Sequence, residues 1–122
     1  MELSKFQIHL EGTLLFTHFS KNIDLNDDIL EEWSKHLEKT FPRKYYHLVI
    51  DLRHIRSIDR KGRAFFTNAA ISSKITGIAF LIQNSSQKMY TDAIKMINRP
   101  PFPTAPFLNF DTARNWFSYA GQ

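Results

Sequence analysis

Two continuous runs of apolar residues predict the inner strands of a sheet. Residues 48–50 (LVI) end at Asp51, and residues 75–83 (ITGIAFLIQ) form a second run. A strand that is covered on both faces needs no alternation of polar and apolar residues. We therefore predict that both runs are buried strands in a sheet that carries helices on each side.

The first segment of the chain has a different pattern. Residues 5–10 (KFQIHL) alternate strictly between polar and apolar, which predicts a half-exposed edge strand. Glu11-Gly12 then forms a short link to the β-rich residues 13–19. Together these segments predict a β-hairpin.

Apolar residues at helical spacing predict the first of four helices. The acidic residues Asp24, Asp27 and Asp28 lie at its start, and Pro42 ends it, because carboxylates favour the positive end of a helix and proline cannot continue one. Helix capping also explains the acidic residues better than a metal site does. The buried face of this helix consists of Leu30, Trp33, Leu37 and Phe41.

The second helix is predicted from Arg60 to Ser72, with Asp59 as its N-cap. The third follows an N-cap within residues 84–86 and ends before Pro100. We expect its inner side to fill the core with Met89, Ala93, Met96 and Ile97.

The rest of the chain is predicted as a rigid extended segment, a strand and a helix. Four prolines fall within residues 99–107 and exclude a helix or a central strand there. A short strand at residues 107–110 and a terminal helix capped by Asp111 follow. The order β-β-α-β-α-β-α-β-α predicts a single α/β domain over residues 1–122, with a mixed sheet of about five strands and about four helices.

Composition removes several classes of function. The chain has no cysteine, so disulfides, thiolate metal sites and cysteine nucleophiles are excluded. It has no signal-peptide pattern and no apolar run of roughly 18 residues, and we expect a cytoplasmic protein without a membrane span. The five histidines lack metal-binding spacings, and only four glycines are present. We therefore predict no metal, no cofactor and no enzymatic activity.

Charge is divided unevenly between the two parts of the chain. Residues 1–41 hold 4 Lys and Arg against 8 Asp and Glu, whereas residues 42–122 hold 12 against 4. The positive charge is concentrated just after the first buried strand, where sites of α/β sheets tend to form. We predict a partner-binding or anion-binding site there, formed by Arg53, Arg56, Asp59, Arg60, Lys61 and Arg63. The alternative is that these are solvated loop charges without a function.

The stretch DLRHIRSIDRKG, together with the order of elements, resembles the STAS domain of bacterial anti-sigma-factor antagonists. Asp51-Leu52 matches the pair that ends the family's third strand, and Ile58-Asp59 and Gly62 match its helix-opening signature. The tail, with PPFP, resembles a group of small bacterial STAS-like proteins without an assigned role. The resemblance implies the STAS fold and a regulatory surface that docks a protein.

The chain departs from this family at the phosphorylation site. Arg60 and Lys61 occupy the positions of the family's two serines, the second of which accepts phosphate in regulated antagonists. Ser57 lies nearby as a weak substitute. Cations are disfavoured at a helix start by roughly 0.3–1 kcal/mol each, so a functional site here would receive negative charge from a partner.

The leading hypothesis is a non-catalytic interaction module that binds a protein with an acidic or phosphorylated surface. The alternative is a small-molecule or lipid-binding domain whose apolar pocket is lined by some of the 11 phenylalanines. Nucleic acid is a less favoured partner, because no nucleic-acid-binding signature is present. A homodimer could form through the edge strand or between the acidic and basic parts of the chain.

Overall fold

The computed structural model describes residues 5–68 and 73–120, which fold around a five-stranded mixed sheet. The sheet order is β1-β2-β4-β6-β7, in which β1 and β2 are antiparallel and the other neighbours are parallel. A separate parallel pair, β3 and β5, was not predicted. The strands are β1 (Phe6–Glu11), β2 (Leu14–Phe19), β3 (Asp24–Leu25), β4 (Tyr46–Asp51), β5 (Ser57–Ile58), β6 (Ile75–Leu81) and β7 (Thr104–Phe107).

Within residues 5–68 and 73–120, four α-helices pack on this sheet. They are α1 (Asp27–Thr40), α2 (Arg60–Phe65), α3 (Ser85–Ala93) and α4 (Phe110–Ala120), and α3 continues into a π-helical turn (Ile94–Asn98). Asn26, Asp59 and Asn84 cap the first three, because each side chain accepts the backbone N–H three residues ahead. The predicted fold class and order of elements are confirmed. No helix among the described residues has the length and apolarity needed to cross a bilayer.

The two faces of β4 explain its continuous apolar run. Leu48 and Ile50 belong to the core cluster that α1, α2 and α3 cover, whereas Val49 belongs to a smaller cluster with Ala113 of α4. All three strand residues are fully buried. The strand is therefore central, as predicted, and its carboxyl end opens toward the loop that leads to α2.

The predicted hairpin is confirmed, and β1 forms an edge of the sheet. Gly12 adopts a positive φ of 60° in the link between the two strands, a conformation that glycine adopts without strain. Pairing of β1 with a second copy stays a prediction.

The structure corrects three predicted boundaries. Asp24 lies in β3 rather than at the start of α1. The last strand begins at Thr104, inside the proline segment, which is possible because β7 is an edge strand. The side chain of Asn109, rather than Asp111, accepts the Thr112 N–H at the start of α4.

The second helix ends earlier than predicted. Its helical part stops at Phe65, because the Thr67 hydroxyl and backbone N–H both donate to the Ala64 carbonyl and tighten the last turn. Residues 69–72, which the prediction included, lie outside the described residues.

The prediction that the methionine side of α3 fills the core is wrong. Met89 and Met96 are each 70% exposed, and Ile97 is 77% exposed. The inner side instead presents Gln87, Thr91 and Ile94, which are buried. Polar residues are tolerated there because the Gln87 amide is hydrogen-bonded at both ends. The amphipathic pattern distinguishes two sides of α3, but it does not predict which side is buried. Here the side with Gln87 and Thr91 faces the core.

Replacing Gly62 with alanine is expected to lower the free energy of unfolding by about 1–3 kcal/mol. A Cβ atom at this position would lie 3.0 Å from the Leu25 carbonyl oxygen and 3.0 Å from Ile58 Cγ1, and the backbone contact cannot relax cheaply. Urea denaturation measures the loss. The exposed Arg60→Ala on the same helix should stay within about 0.5 kcal/mol of wild type. Equal stabilities of the two variants would contradict this packing.

Candidate functional site

The six residues predicted as a site lie between the end of β4 and the middle of α2. They differ in whether their side chains already contact other residues of the chain. Four of them make specific contacts within the chain. Two of them, Arg60 and Lys61, are exposed and have no ion-pair partner among the described residues.

Arg53 is bound to a buried carboxylate. Its Nε and Nη2 atoms donate to the two oxygens of Asp51, each at 2.9 Å, and its backbone N–H donates to Oδ1 at 3.0 Å. The Nδ1 atom of His18 also lies 2.9 Å from Asp51 Oδ2. Burial alone would raise the pKa of Asp51, but the hydrogen bonds from Arg53 and His18 outweigh it and hold the pKa below its usual value. The Asp51 carboxylate therefore neutralises the charge of Arg53 and fixes its guanidinium in position.

Arg56 forms a second carboxylate pair, on the surface. Its guanidinium grips both oxygens of Asp24, with Nε 2.8 Å from Oδ1, and the Ser57 hydroxyl donates to the same Oδ1 at 2.7 Å. The hydrogen bonds from Arg56 and Ser57 lower the pKa of Asp24 to about 2. The pair ties the β3–β5 ladder together. Ser57, considered as a substitute phosphate acceptor, is thus already engaged with a carboxylate.

The loop that carries Arg53 is held from several sides. The side-chain amides of Gln83 and Gln87 donate to the Arg53 carbonyl at 2.6 and 3.0 Å. The Asn22 N–H donates to the His54 carbonyl at 2.8 Å. Because neighbouring elements satisfy these backbone groups, the loop is part of the framework at this edge of the sheet.

Asp59 and Arg63 also have roles inside the fold. Asp59 caps α2 through the Gly62 N–H at 2.7 Å, which confirms the predicted N-cap. Arg63 is partly buried, and its Nη1 atom donates to the Ile58 carbonyl at 2.9 Å. These contacts stabilise the junction between β5 and α2.

The free cations lie on α2, and a group of exposed apolar side chains lies on α3 and on the π-helical turn that follows it. The π-helical turn packs against α2 and carries Met96 and Ile97, both largely exposed, and Met89 precedes them by two helical turns on α3. We call this area the α2–α3 surface, formed by Arg60, Lys61, Met89, Met96 and Ile97.

Further positive charge lies at the π-helical turn and at the residue that ends it. Lys95 and Arg99 are exposed, and neither is ion-paired within the part of the chain that the structure describes. Arg99 ends the π-helical turn with a φ of 47° and donates from Nε to the Met96 carbonyl at 3.3 Å. The surface therefore combines apolar side chains with unneutralised cations.

Sequence reasoning missed two features of this region. It assigned the methionines to the core, and it treated the histidines as scattered. The structure brings His18 and His54 into contact, with ring centroids 5.5 Å apart. The parallel register of β2 and β4 places His18 opposite Asp51, and His54 follows Asp51 in the next loop. The spacing of histidines along the sequence does not reveal this register.

Comparisons with known proteins identify the fold. The model of a family described as a domain of unknown function, DUF7793, matches residues 6–120. A search of curated proteins finds no match. Among solved structures, the chain is similar to an uncharacterised protein of the DUF3478 family with a SpoIIAA-like fold from Shewanella loihica PV-4. The identity is 14%, the TM-score is 0.65, and the match covers 91% of this chain and 90% of that one. The expected STAS-like fold is confirmed.

Proposed function

This chain belongs to the DUF7793 family, and from that premise we propose that it is a non-catalytic protein-interaction module. Its partner binds the α2–α3 surface through an acidic or phosphorylated segment that also carries apolar side chains. The observation that supports this proposal most is the exposure of Met89, Met96 and Ile97 on α3 and on the π-helical turn that packs against α2.

Exposed apolar side chains in a cluster commonly mark a surface that another molecule covers. Methionine suits such a surface, because its flexible thioether adapts to the shape of a partner. The three apolar residues here are not compensated by contacts with the core, since each is at least 70% exposed. Their burial on binding would supply affinity.

The charges around these side chains favour an acidic partner. Arg60 and Lys61 have no carboxylate of their own, whereas Arg53 and Arg56 are already paired with Asp51 and Asp24. We therefore narrow the predicted six-residue site to its two free cations and assign the other four residues to the framework. Charge complementarity of this kind raises association rates and selects the partner.

The position of Lys61 changes the regulatory logic that the STAS-like fold suggests. A serine that accepts phosphate becomes negative on signal, whereas a lysine is permanently positive. In this proposal the module is constantly competent to bind, and regulation acts on the charge of the partner. We propose that it acts in the bacterial cytoplasm as a single domain.

The small-molecule alternative has less support. The phenylalanines expected to line an apolar pocket pack in the two core clusters, with Phe66 and Phe80 fully buried. A surface depression of about 760 Å³ beside α1 is lined by Leu37, Tyr46 and Phe65 together with charged side chains such as Glu31, Lys35 and Glu38. The charged part of this lining does not suit a lipid tail.

Affinity capture tests the proposed function. The tagged chain is used as bait in an extract of the cells that naturally produce it, and retained proteins are quantified by mass spectrometry. We expect a retained protein to be lost with Arg60→Glu/Lys61→Glu and reduced with Met96→Ser. The matched controls are Lys39→Glu/Lys44→Glu, which makes the same change in charge at exposed lysines on α1 and before β4, and Leu108→Ser, which removes an equally exposed apolar side chain.

Two results would contradict the proposal. One is that no protein is retained above a bait-free column. The other is that the control variants lose the retained proteins to the same extent as the α2–α3 variants. Circular dichroism of each variant establishes beforehand that the fold is intact.

A further inference from the structure

The outer edge of β1 has no strand partner among the described residues. β1 pairs with β2 on one side only, and its six residues pair in an unbroken register. The opposite edge strand, β7, has four residues and contains Pro106, which has no N–H to donate. Natural proteins protect edge strands with bulges, prolines and short lengths. β1 has none of these three features, so its edge is open to another strand.

The strand register shows which backbone groups of β1 point outward. The Ser20 N–H donates to the Lys5 carbonyl at 2.9 Å, so these two residues form a hydrogen-bonded pair. Hydrogen-bonded and non-hydrogen-bonded positions alternate along an antiparallel pair. Every second residue counted from Lys5 therefore bonds to β2, and the N–H and C=O groups of Phe6, Ile8 and Leu10 point away from it. Within the described part of the chain, no backbone group of another element bonds to these outward groups.

Phe6, Ile8 and Leu10 also form an apolar row on one face of the sheet, because alternate side chains of a strand point to the same side. Phe6 and Ile8 pack partly against the main core, whereas Leu10 is 41% exposed. A strand added at this edge would extend the apolar row and cover Leu10. The edge therefore offers both hydrogen-bonding groups and an apolar contact to a partner.

A second copy of β1 fits this edge in an antiparallel arrangement. Outward-facing residues must meet outward-facing residues to exchange hydrogen bonds, so the allowed registers differ in steps of two residues. When Ile8 lies opposite Ile8 of the second copy, Phe6 lies opposite Leu10 of that copy. The same register places Lys5 opposite Glu11 at both ends of the pairing. Apolar side chains then meet apolar ones, and each cation meets a carboxylate.

The neighbouring registers lack this complementarity. A shift of two residues in one direction places Lys5 opposite His9 of the second copy. A shift in the other direction places Gln7 opposite Glu11 and brings the two copies of His9 together. Opposite charges across a strand pair are stabilising, so charge selects the register that is centred on Ile8.

The present contacts of Lys5 and Glu11 do not prevent this pairing. Lys5 Nζ lies 3.4 Å from Glu32, and the Glu11 carboxylate lies 3.3 Å from His9 Nε2 and 3.5 Å from Arg114. All of these side chains are about half exposed. Exposed ion pairs of this kind contribute little stability, so both side chains are able to exchange partners.

From this geometry we infer that β1 is the interface of a homodimer, in which two copies of β1 pair antiparallel around Ile8. The two five-stranded sheets then join into one continuous sheet. The pairing adds about six backbone hydrogen bonds, two for each pair of outward-facing residues. The interface uses no residue of the α2–α3 surface, so the dimer and the proposed partner binding can fail independently.

Sedimentation velocity of the full, tag-free chain tests the interface. The wild type should sediment as a dimer. Leu10→Pro should be monomeric at the same concentration, because proline removes an outward N–H and leaves the hydrogen bonds to β2 in place. Leu10→Ala is the matched control, since it truncates the same side chain but keeps the N–H, and it should still dimerise. Circular dichroism establishes that each variant is folded.

A charge swap tests the register without proline. Lys5→Glu and Glu11→Lys should each weaken the dimer about threefold to tenfold, because each sets like charges opposite one another. The double variant Lys5→Glu/Glu11→Lys restores opposite charges across the interface, and its affinity should return to within about twofold of wild type. A double variant that dimerises no better than the single ones would overturn the register.

Amide hydrogen exchange followed by NMR locates the interface. In the wild-type dimer the amides of Phe6, Ile8 and Leu10 should exchange slowly, and those of Phe6 and Ile8 should exchange rapidly in Leu10→Pro. The amides of Gln7 and His9, which bond to β2, should be protected in both proteins. A monomeric wild type would overturn the inference. A dimer in which the amides of Phe6, Ile8 and Leu10 exchange rapidly would also overturn it, because the copies would then meet elsewhere.

Discussion

Replacing Asp51 with alanine is expected to lower the free energy of unfolding by about 3–5 kcal/mol. The carboxylate is 1% exposed and accepts four hydrogen bonds, three from Arg53 and one from His18. Its loss leaves the guanidinium and the imidazole without a partner at the end of the central strand. Guanidinium chloride denaturation at pH 7, followed by circular dichroism, measures the effect.

Asp24→Ala is the matched control for Asp51→Ala. Asp24 is also gripped by an arginine through both oxygens, but its side chain is 46% exposed. Solvent screens an exposed ion pair, so this variant should lose far less stability. Equal losses in the two variants would contradict the role assigned to burial.

The contribution of Asp51 should also depend on pH. Its folded-state pKa is lowered, so the stabilisation is fully present above the unfolded-state value of about 3.9 and is lost as the pH falls through the folded-state value. The loss of stability caused by Asp51→Ala should therefore shrink as the pH falls from 5 to 2. A difference that stays constant down to pH 2 would contradict an ionised Asp51.

Trp33→Ala is expected to lower the free energy of unfolding by about 3–5 kcal/mol, because it opens a cavity in the main core. Trp33 is fully buried between α1 and the sheet, and its Nε1 donates to the buried Thr17 hydroxyl at 2.9 Å. Urea denaturation followed by circular dichroism measures the loss, since tryptophan fluorescence changes with the substitution.

Two further variants are compared with Trp33→Ala: one removes the hydrogen bond of the indole, and the other truncates an exposed side chain. Thr17→Val keeps the shape of the side chain but leaves the indole N–H unsatisfied, and it should cost about 1–3 kcal/mol. Ile97→Ala truncates an exposed residue and should change stability by less than about 0.5 kcal/mol. If Ile97→Ala costs as much as Trp33→Ala, Ile97 is not on an open surface.

Much of the fold could be predicted because local pattern and tertiary environment agree. Residues 48–50 are apolar without alternation, and both faces of β4 are in fact covered. Residues 5–10 alternate, and β1 is an edge strand. Asp59 follows a strand and precedes a helix, and it caps α2.

The candidate site could be predicted only in part, because pairing between distant residues decides which charges are free. The sequence places six charged residues in one stretch, but Arg56 pairs with Asp24, which lies far earlier in the chain, in β3. Arg53 pairs with its near neighbour Asp51 through the local conformation at the end of β4. The side of α3 that faces solvent depends on Gln87, which meets the Arg53 carbonyl across the sheet edge. The order of residues along the chain shows neither the Arg56–Asp24 pair nor the contact of Gln87 with Arg53.

The fixed charges at the start of α2 restrict how this end of the helix can bind a partner. Arg60 and Lys61 are both exposed there. A site with fixed positive charge can bind an acidic segment but cannot be switched by phosphorylation of that position. Partner selection by charge and apolar contact is therefore the central claim.

The most direct test of this claim is a binding titration with the protein recovered by affinity capture. Biolayer interferometry compares wild type, Arg60→Glu/Lys61→Glu and the control Lys39→Glu/Lys44→Glu at one salt concentration. We predict that the α2 variant binds at least about tenfold more weakly, while the control stays within about twofold of wild type. Equal affinities of the two variants would contradict the account.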